Sequence, residues 1–422
     1  MIKIGNLFKG DKGIWVVFLL LCLISVIEVF SASSTLTYKS HNYLGPLAYH
    51  CIMIVIGVGI AIVTQNIPCR YFKLMTPVML LLTYFTLIWV LFWGESINGA
   101  NRVIQLPGFT FQPSEIAKGT MVLASAQILS AMQREDGSGA YPKAMKYILL
   151  LTLPAVALIG RENLSTAALL FAVIYFMMFL GRVPMVQMGK LTGVITLCVA
   201  LFVGMVLWVG GMDKQAAQEL EDMKAGVKTE RVAPASGEAK KEKNFFEKTT
   251  HRFGTWRNRL LAPGKPKDPK DYRVTDANFQ VTHANLAIAS SQVIGKGPGN
   301  SVERDYLPQA FSDFIYAIII EEMGLAGAIL VAFLYIILLV RAARIARRCE
   351  NNFPAFLVLG LALLLVLQAI INMCVAVDFG IVTGQPLPLV SKGGTSTIVN
   401  CAYIGVILSV SRSAKKVNVK SE

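Results

Sequence analysis

Residues 295–324 read GKGPGNSVERDYLPQAFSDFIYAIIIEEMG, passing from a glycine- and proline-rich turn, through a polar strip, into an apolar run. Ser312 is a suitable helix N-cap, so the sequence predicts a helix that Asp313 opens. At helical spacing Asp313 and Glu321 share one face, about 12 Å apart. Because a carboxylate at the mouth of a membrane-bound apolar segment is costly, Asp313 is a candidate functional group. The alternative is that it only complements the helix dipole.

The composition around this stretch is that of a membrane protein. Mean hydropathy is +0.55, 54% of the residues are apolar and only 16% are charged. The apolar residues come in blocks long enough to cross a bilayer, which an ordinary soluble domain of this length does not have. We therefore predict an all-α polytopic integral membrane protein with ten transmembrane helices, near 14–34, 45–65, 73–93, 114–133, 145–161, 164–181, 191–211, 323–343, 354–376 and 394–411.

Charged residues in the short loops predict the orientation. Lys and Arg concentrate in the N-terminal segment, in alternate loops and in the C-terminal tail, so both termini are expected in the cytoplasm. This bias and the long loop account for most of the net charge of +14, so nucleic acid is not an expected partner. The first span has no cleavage site and is predicted to stay as an anchor. The seven cysteines are scattered, which argues against a zinc site or a disulfide framework.

One long loop, residues 212–308, separates the seventh and eighth spans and is predicted to lie outside the cell. Its first part, 213–250, is rich in Lys, Glu and Ala and has little to bury, so we predict a flexible insertion. Trp256 with basic neighbours is typical of an interfacial anchor. With no other composition break, residues 1–422 are predicted to form one membrane domain.

A second polar run follows the third span, with NGANR at 98–102 and FQPSEIAK at 111–118. Glu115 and Lys118 lie one helical turn apart, which predicts an ion pair at low dielectric. Such a pair either pins two helices together or faces the substrate, and the sequence leaves both open. Arg102 is predicted to lie just outside the bilayer, where its planar guanidinium suits a phosphate.

A third run, QPLPLVSKGGTS at 385–396, begins the last span. Its prolines and glycines at membrane depth predict broken backbone, which is tolerated where it lines a cavity. Lys392 in this run would place a cation beside that cavity.

These three runs resemble the signatures of the SEDS family, the polytopic peptidoglycan polymerases FtsW, RodA and SpoVE. The resemblance covers most of the chain. It implies that Asp313, which matches the family's Asp before Phe-Ile, is catalytic and could share a divalent metal ion, Mg²⁺ or Mn²⁺, with the substrate. No organic cofactor is implied. The residues that it implies for substrate or pyrophosphate binding are Arg102, Glu115, Lys118, Ser391, Gly393 and Gly394. Lys392 stands where the family usually has an aromatic residue, and it is a candidate because it puts a cation beside the same site.

The implied activity is that of an inverting glycosyltransferase that polymerises lipid II into glycan strands. Residues 299–302, GNSV, are closer to FtsW than to RodA, which implies septal wall synthesis during cell division in the bacterial inner membrane. The implied partners are lipid II, a class B penicillin-binding protein of the FtsI type as transpeptidase, and other divisome proteins.

Other interpretations stay open. A RodA-like role in elongation, a lipid II flippase and a division scaffold without activity would each fit ten spans with buried charges. An Asp313 outside the membrane favours the enzyme, because transport would place charges near the midplane. The chain also departs from the family at 162–166, where Pro-Asp-x-Gly-Thr is usual and Glu-Asn-Leu-Ser-Thr stands. A carboxylate at position 163 is therefore not expected to be essential here.

Overall fold

The computed structural model describes residues 8–32, 45–97, 100–106, 109–226, 278–307, 310–380 and 383–414. Long helices occur at all ten positions where spans were predicted, and one shorter helix, α8, lies in the long loop. Their bounds are α1 Lys12–Ala32, α2 Gly45–Thr64, α3 Cys69–Trp93, α4 Pro113–Ala131, α5 Lys143–Glu162, α6 Leu164–Leu180, α7 Met185–Gly226, α8 Phe279–Ser290, α9 Ile315–Arg347, α10 Asn352–Ala376 and α11 Gly394–Ser413.

The polarity of the helices is that of a protein in a bilayer. Large apolar side chains are exposed, among them Leu74 at 73% and Leu81 at 75%, whereas Lys118 and Glu321 are fully buried. By length and composition, eight described helices could cross a membrane; α6 is apolar but has 17 residues, and α4 is not among the eight. The polytopic helical fold is confirmed, and the count of ten spans stays a prediction.

The helices divide into two compact units. Residues 1–187 and 281–422 form the first, and α10 lies at its centre because it contacts α4, α6, α9 and α11. Residues 188–280 form the second, whose described part is most of α7 and the start of α8. Because α7 runs to Gly226, the first part of the predicted flexible insertion is helical. The rest of the insertion and Trp256 lie outside the described residues.

A small sheet, which the sequence did not predict, stands between α3 and α4. Its strands are β1 Glu95–Ile97, β2 Ala100–Leu106 and β3 Phe109–Phe111, paired antiparallel in that order. β2 contacts the ends of α3, α4 and α5 and carries Arg102. The polar run that follows the third span is therefore a folded sheet, and this sheet holds the candidate site residue Arg102.

Helix α9 is interrupted at Gly324, which has φ 67° and ψ −169°. The chain from Val293 to Gly297 packs into this break, where the Lys296 and Gly297 amides donate to the Glu321 and Glu322 carbonyls at 3.0 and 2.8 Å. A Cβ on Gly324 would lie 2.3 Å from the Val293 carbonyl oxygen, so the contact requires glycine. The predicted span 323–343 is therefore the part of α9 that follows the break.

The two carboxylates before this break hold the loop at 296–304. Glu321 accepts from Lys296 Nζ at 2.6 Å and from the Val302 amide at 3.0 Å, while Glu322 accepts from the Gly299 amide at 3.0 Å. Both carboxylates are fully buried. Glu321 therefore anchors the loop and does not act together with Asp313, although the two share a predicted helix face.

Candidate active site

Asp313 lies in a turn, residues 310–314, immediately before α9. The helix begins at Ile315 with Phe314 in the cap position, so the prediction that Ser312 caps a helix opened by Asp313 is wrong. Ser312 Oγ instead donates to Asp313 Oδ1 at 2.9 Å. The carboxylate is partly exposed, as a group that exchanges protons with a substrate needs to be.

Three consecutive carbonyls fix this turn to the rest of the first unit. Asn372 Nδ2 on α10 donates to the Asp313 carbonyl at 2.8 Å, and Ser391 Oγ donates to the Ser312 carbonyl at 2.6 Å. The Lys392 amide donates to the Phe311 carbonyl at 2.9 Å. Asp313 is thus held by the segment between α10 and α11, residues 377–393, which we call the broken segment.

Gly384 brings the backbone of the broken segment close to the carboxylate. It has φ 63°, in the left-handed region that favours glycine, and a Cβ built there would lie 3.5 Å from Asp313 Oδ2. A larger residue would both strain the backbone and fill the space beside the carboxylate.

Lys392 supplies a cation on the same segment. Its Nζ lies 5.1 Å from the centroid of the Phe311 ring, two positions before Asp313, in a cation–π contact. The side chain is half-buried, and this burial lowers the pKa of Lys392 below its ordinary value because the charged form loses solvation. The structure thus places Lys392 over the ring of Phe311, two positions before Asp313, and its role toward substrate stays a prediction.

Ser391, Gly393 and Gly394 serve to build the broken segment. The Ser391 side chain is buried and accepts from the Leu387 amide at 2.7 Å while donating to Ser312. Because this hydroxyl is used internally, a substrate-binding role for Ser391 does not fit the structure, and the residue instead positions the turn that holds Asp313. Gly393 occupies the cap position of α11 and Gly394 is its first residue, so both set where that helix begins.

The predicted ion pair between Glu115 and Lys118 is present, with Nζ and Oε1 2.9 Å apart, but it is buried within the helices. Lys118 is fully buried, and its Nζ also donates to Gln368 Oε1 on α10 at 2.7 Å. With both interactions inside the bundle, the ammonium is not presented to a surface where it could meet pyrophosphate.

Arg102 lies on the rim of a cavity of about 30 Å³, away from this pair. Its Nε donates to the Glu162 carbonyl at 3.2 Å. The cavity has space for about two water molecules and is therefore too small for a sugar. Its lining combines the apolar ends of α3 and α5 with polar groups from β2 and from the starts of α4 and α6: Leu87, Val90, Leu91, Arg102, Gln112, Pro113, Ser114, Leu158, Ile159, Glu162 and Asn163.

The departure from the family at position 163 has a structural explanation. Asn163 is the N-cap of α6, and its Oδ1 accepts from the Thr166 amide at 3.2 Å. Asn and Asp cap helices about equally well, so the amide performs this role without a carboxylate. Thr166, the one residue of that motif that the chain retains, also accepts from Gln385 Nε2 at 2.8 Å.

Side-chain hydrogen bonds join these parts through four residues, Gln368, Asn372, Thr166 and Gln385. Gln368 and Asn372 are polar residues within α10. Gln368 donates to the carbonyl of Pro386, and Asn372 donates to the carbonyls of Gln385 and Asp313. Thr166 and Gln385 lie in stretches that the sequence marked, but nothing in the sequence predicted that they would bond to each other.

A metal ion would find few protein ligands here. Among the described residues, no three His, Cys, Asp or Glu side chains come together to hold one. Asp313 could thus contribute a single carboxylate, and a divalent ion would take its remaining ligands from the substrate and water.

A family model for FtsW, RodA and SpoVE, described as cell cycle proteins, matches residues 11–222 and 250–416. The chain belongs to this family.

The sequences named probable peptidoglycan glycosyltransferase FtsW from Geobacter sp. (strain M18) and Coxiella burnetii are each 28% identical to this chain. The first match covers 95% of this chain and 96% of its relative, and the second covers 94% and 95%.

Two solved structures share the fold. One is a chain of a peptidoglycan synthase complex, solved in work on the structural coordination of polymerization and crosslinking. It has a TM-score of 0.67 and 22% identity, over 96% of this chain and 98% of that one. The other is the rod shape determining protein RodA of Thermus thermophilus, with a TM-score of 0.60 and 20% identity, over 97% and 99%. The resemblance noted in the three runs is therefore confirmed at the level of the family and the fold.

Proposed function

We propose that this family member is a peptidoglycan glycosyltransferase that polymerises lipid II, with Asp313 as its catalytic base. The observation that carries the proposal is the setting of Asp313. Its carboxylate is partly exposed and lies beside Gly384, and its backbone carbonyl is held by Asn372. Lys392 provides a cation on the neighbouring segment. The relatives named FtsW support the same activity.

The reaction follows from this arrangement. Asp313 accepts the proton of the acceptor sugar's 4-hydroxyl while the oxygen of that hydroxyl attacks the donor's anomeric carbon. A new C–O bond forms on the face opposite the leaving group, and the bond from the anomeric carbon to the pyrophosphate oxygen breaks, with inversion. The leaving polyprenyl pyrophosphate carries away the electron pair of that bond.

Cations must stabilise the charge that develops on the leaving group. Lys392 is proposed for this task because it lies on the segment that holds Asp313, and Arg102 because it lies on a cavity rim with apolar walls. Asp313 would be the protein ligand of a Mg²⁺ or Mn²⁺ ion, and such an ion would neutralise further charge on the leaving group. Glu115 and Lys118 are not assigned to substrate binding, because both are buried in the bundle.

The setting that we propose is the division septum. The FtsW-named relatives favour septal work over elongation, and a class B penicillin-binding protein would cross-link the strands. The likeness to a chain from a complex that couples polymerization and crosslinking supports such a partner. In this arrangement both termini lie in the cytoplasm and Asp313 faces outward.

The test is polymer synthesis by the purified full-length chain with its class B partner, given labelled lipid II. The wild type is expected to make glycan polymer, and D313N is expected to make none while its melting temperature and partner binding stay unchanged. D305N is the matched control, since it makes the same replacement at a more exposed Asp of the preceding segment. Polymer from D313N would remove Asp313 from catalysis. Wild-type protein that moves lipid II across vesicles without polymerising it would identify a transporter instead.

A further inference from the structure

The described part of the broken segment is not helical, so several of its backbone carbonyls have no hydrogen-bond donor in its own backbone. In a low-dielectric interior an unpaired carbonyl is costly, so partners must come from side chains. Gln368 Nε2 donates to the Pro386 carbonyl at 3.0 Å, Asn372 Nδ2 donates to the Gln385 carbonyl at 2.7 Å, and Ser25 Oγ donates to the Val390 carbonyl at 2.6 Å. The Tyr335 hydroxyl donates to the Pro388 carbonyl, so donors on helices α1, α9 and α10 set the path of the segment.

Asn372 connects this segment to the reacting group. The same Nδ2 that binds the Gln385 carbonyl also binds the Asp313 carbonyl, at 2.7 and 2.8 Å. Its Oδ1 is buried and has no donor within the described part of the chain. The amide therefore acts through the two hydrogen bonds that its Nδ2 donates. Asn372 is 1% exposed and cannot itself touch lipid II.

Gln368 stands one helical turn before Asn372 on the same face of α10. Its Oε1 accepts from Lys118 Nζ at 2.7 Å while its Nε2 donates to Pro386. An ammonium can only donate, so Lys118 fixes the amide with its oxygen toward α4 and its NH₂ group toward Pro386. Glu115, which pairs with Lys118, holds that ammonium in place.

We propose that Gln368 and Asn372 are positioning residues for Asp313, and that the Glu115–Lys118 pair acts on the reaction by orienting Gln368, without contacting lipid II. This inference rests on the proposed polymerase function. The proposed role differs from joining two helices and from contacting pyrophosphate. The ammonium of Lys118 orients the Gln368 amide, and that amide holds the backbone beside Asp313.

Binding pyrophosphate and positioning Asp313 predict different kinetics. A residue that binds pyrophosphate in the ground state changes KM for lipid II when it is removed. A positioning residue leaves KM close to its wild-type value and lowers kcat, since a shift of about 1 Å in a reacting group can cost roughly a hundredfold in rate.

The experiment compares kcat, KM and melting temperature for purified E115Q/K118M, Q368M, their combination, and N372L. Neutralising both members of the pair avoids leaving one charge unpaired. We expect kcat to fall roughly a hundredfold in each variant with KM changed less than about threefold. The combination should be no slower than Q368M alone, because the pair then has no amide left to orient.

Q127M is the matched control. Gln127 is on α4, and its buried Oε1 has no partner among the described residues, so the same replacement there should leave kcat unchanged. If Q368M does not fold, Q368N keeps the amide but is too short to reach both Lys118 and Pro386. Multiplicative losses in the combination, or a raised KM in E115Q/K118M with normal kcat, would overturn the inference. A wild-type protein that makes no polymer from lipid II would instead count against the proposed function.

Discussion

At the scale of single residues, the properties of the site come from what surrounds each charged group. Asp313 stays partly exposed and has Ser312 and Asn372 as partners, one at the carboxylate and one at the backbone. Lys392 rests over an aromatic ring, where burial removes solvent from its charge. Lys118, the other lysine predicted to meet pyrophosphate, has no exposure at all. Exposure thus separates the lysine that can meet substrate from the lysine that cannot.

We predict that the alkaline limb of the pH–rate profile reports Lys392. Burial lowers the pKa of this lysine, so it loses its charge at a lower pH than an ordinary lysine does. If its charge stabilises the leaving group, kcat falls as pH rises through that lowered pKa. K392R should move this fall to higher pH, because a guanidinium stays protonated above pH 12.

The measurement is polymer formation by wild type and K392R between roughly pH 6 and 10, with lipid II saturating. The acidic limb should be the same in both proteins. An alkaline limb that does not move in K392R would show that Lys392 is not the group that titrates.

At the scale of elements, the site depends on interruptions in helices as much as on the helices. Gly324 breaks α9 and admits the loop at 293–297, and the broken segment between α10 and α11 reaches Asp313. Each interruption leaves carbonyls that other parts of the chain must satisfy. For the broken segment, two amides of α10 do so together with hydroxyls of α1 and α9.

The buried pair on α4 gives a stability prediction at this scale. Removing one charge, as in K118M or E115Q, leaves its partner buried without compensation and should cost about 3–5 kcal/mol. E115Q/K118M removes both charges and should recover most of that loss, since a neutral pair of similar size needs no compensation. The measurement is thermal unfolding of the three variants in one detergent. A double variant no more stable than K118M would show that the charges do not stabilise each other.

At the scale of the whole molecule, one compact unit contains every candidate site residue. That unit combines residues 1–187 with 281–422. Residues 227–249 are charged and poor in apolar side chains, and the family match leaves out 223–249. The chain therefore carries a polar stretch that the family as a whole does not share.

We predict that deleting residues 227–249 leaves polymerisation within about twofold of the wild type, because a segment with so little apolar content contributes little to a packed core. The deletion keeps all of α7 and begins after its last residue, Gly226. Polymer yield and melting temperature of the deletion and the full chain check this. A stable deletion without polymerase activity would show that the segment helps to build the site.

The positions of the helices could be predicted from the sequence, because membrane insertion depends on the local content of apolar residues. The three polar runs also marked Asp313, Lys392 and Arg102, since costly groups in a bilayer stand out by composition alone. Hydropathy missed the sheet, whose short strands have no comparable signal. The N-cap expected at Ser312 placed the start of α9 two residues early.

Only the tertiary structure decided which polar groups meet. Lys118 and Gln368 are 250 positions apart, and Asn372 and Asp313 are 59 apart. A side-chain amide has no fixed partner in the sequence, because its target depends on how helices are rotated and where a neighbouring backbone is broken. The sequence therefore determined which charged and polar groups are available to the site and which segments are apolar enough to form long helices. Packing determined that the Asp313 carbonyl is held from α10, and that the ion pair of α4 is buried against Gln368, which is also on α10.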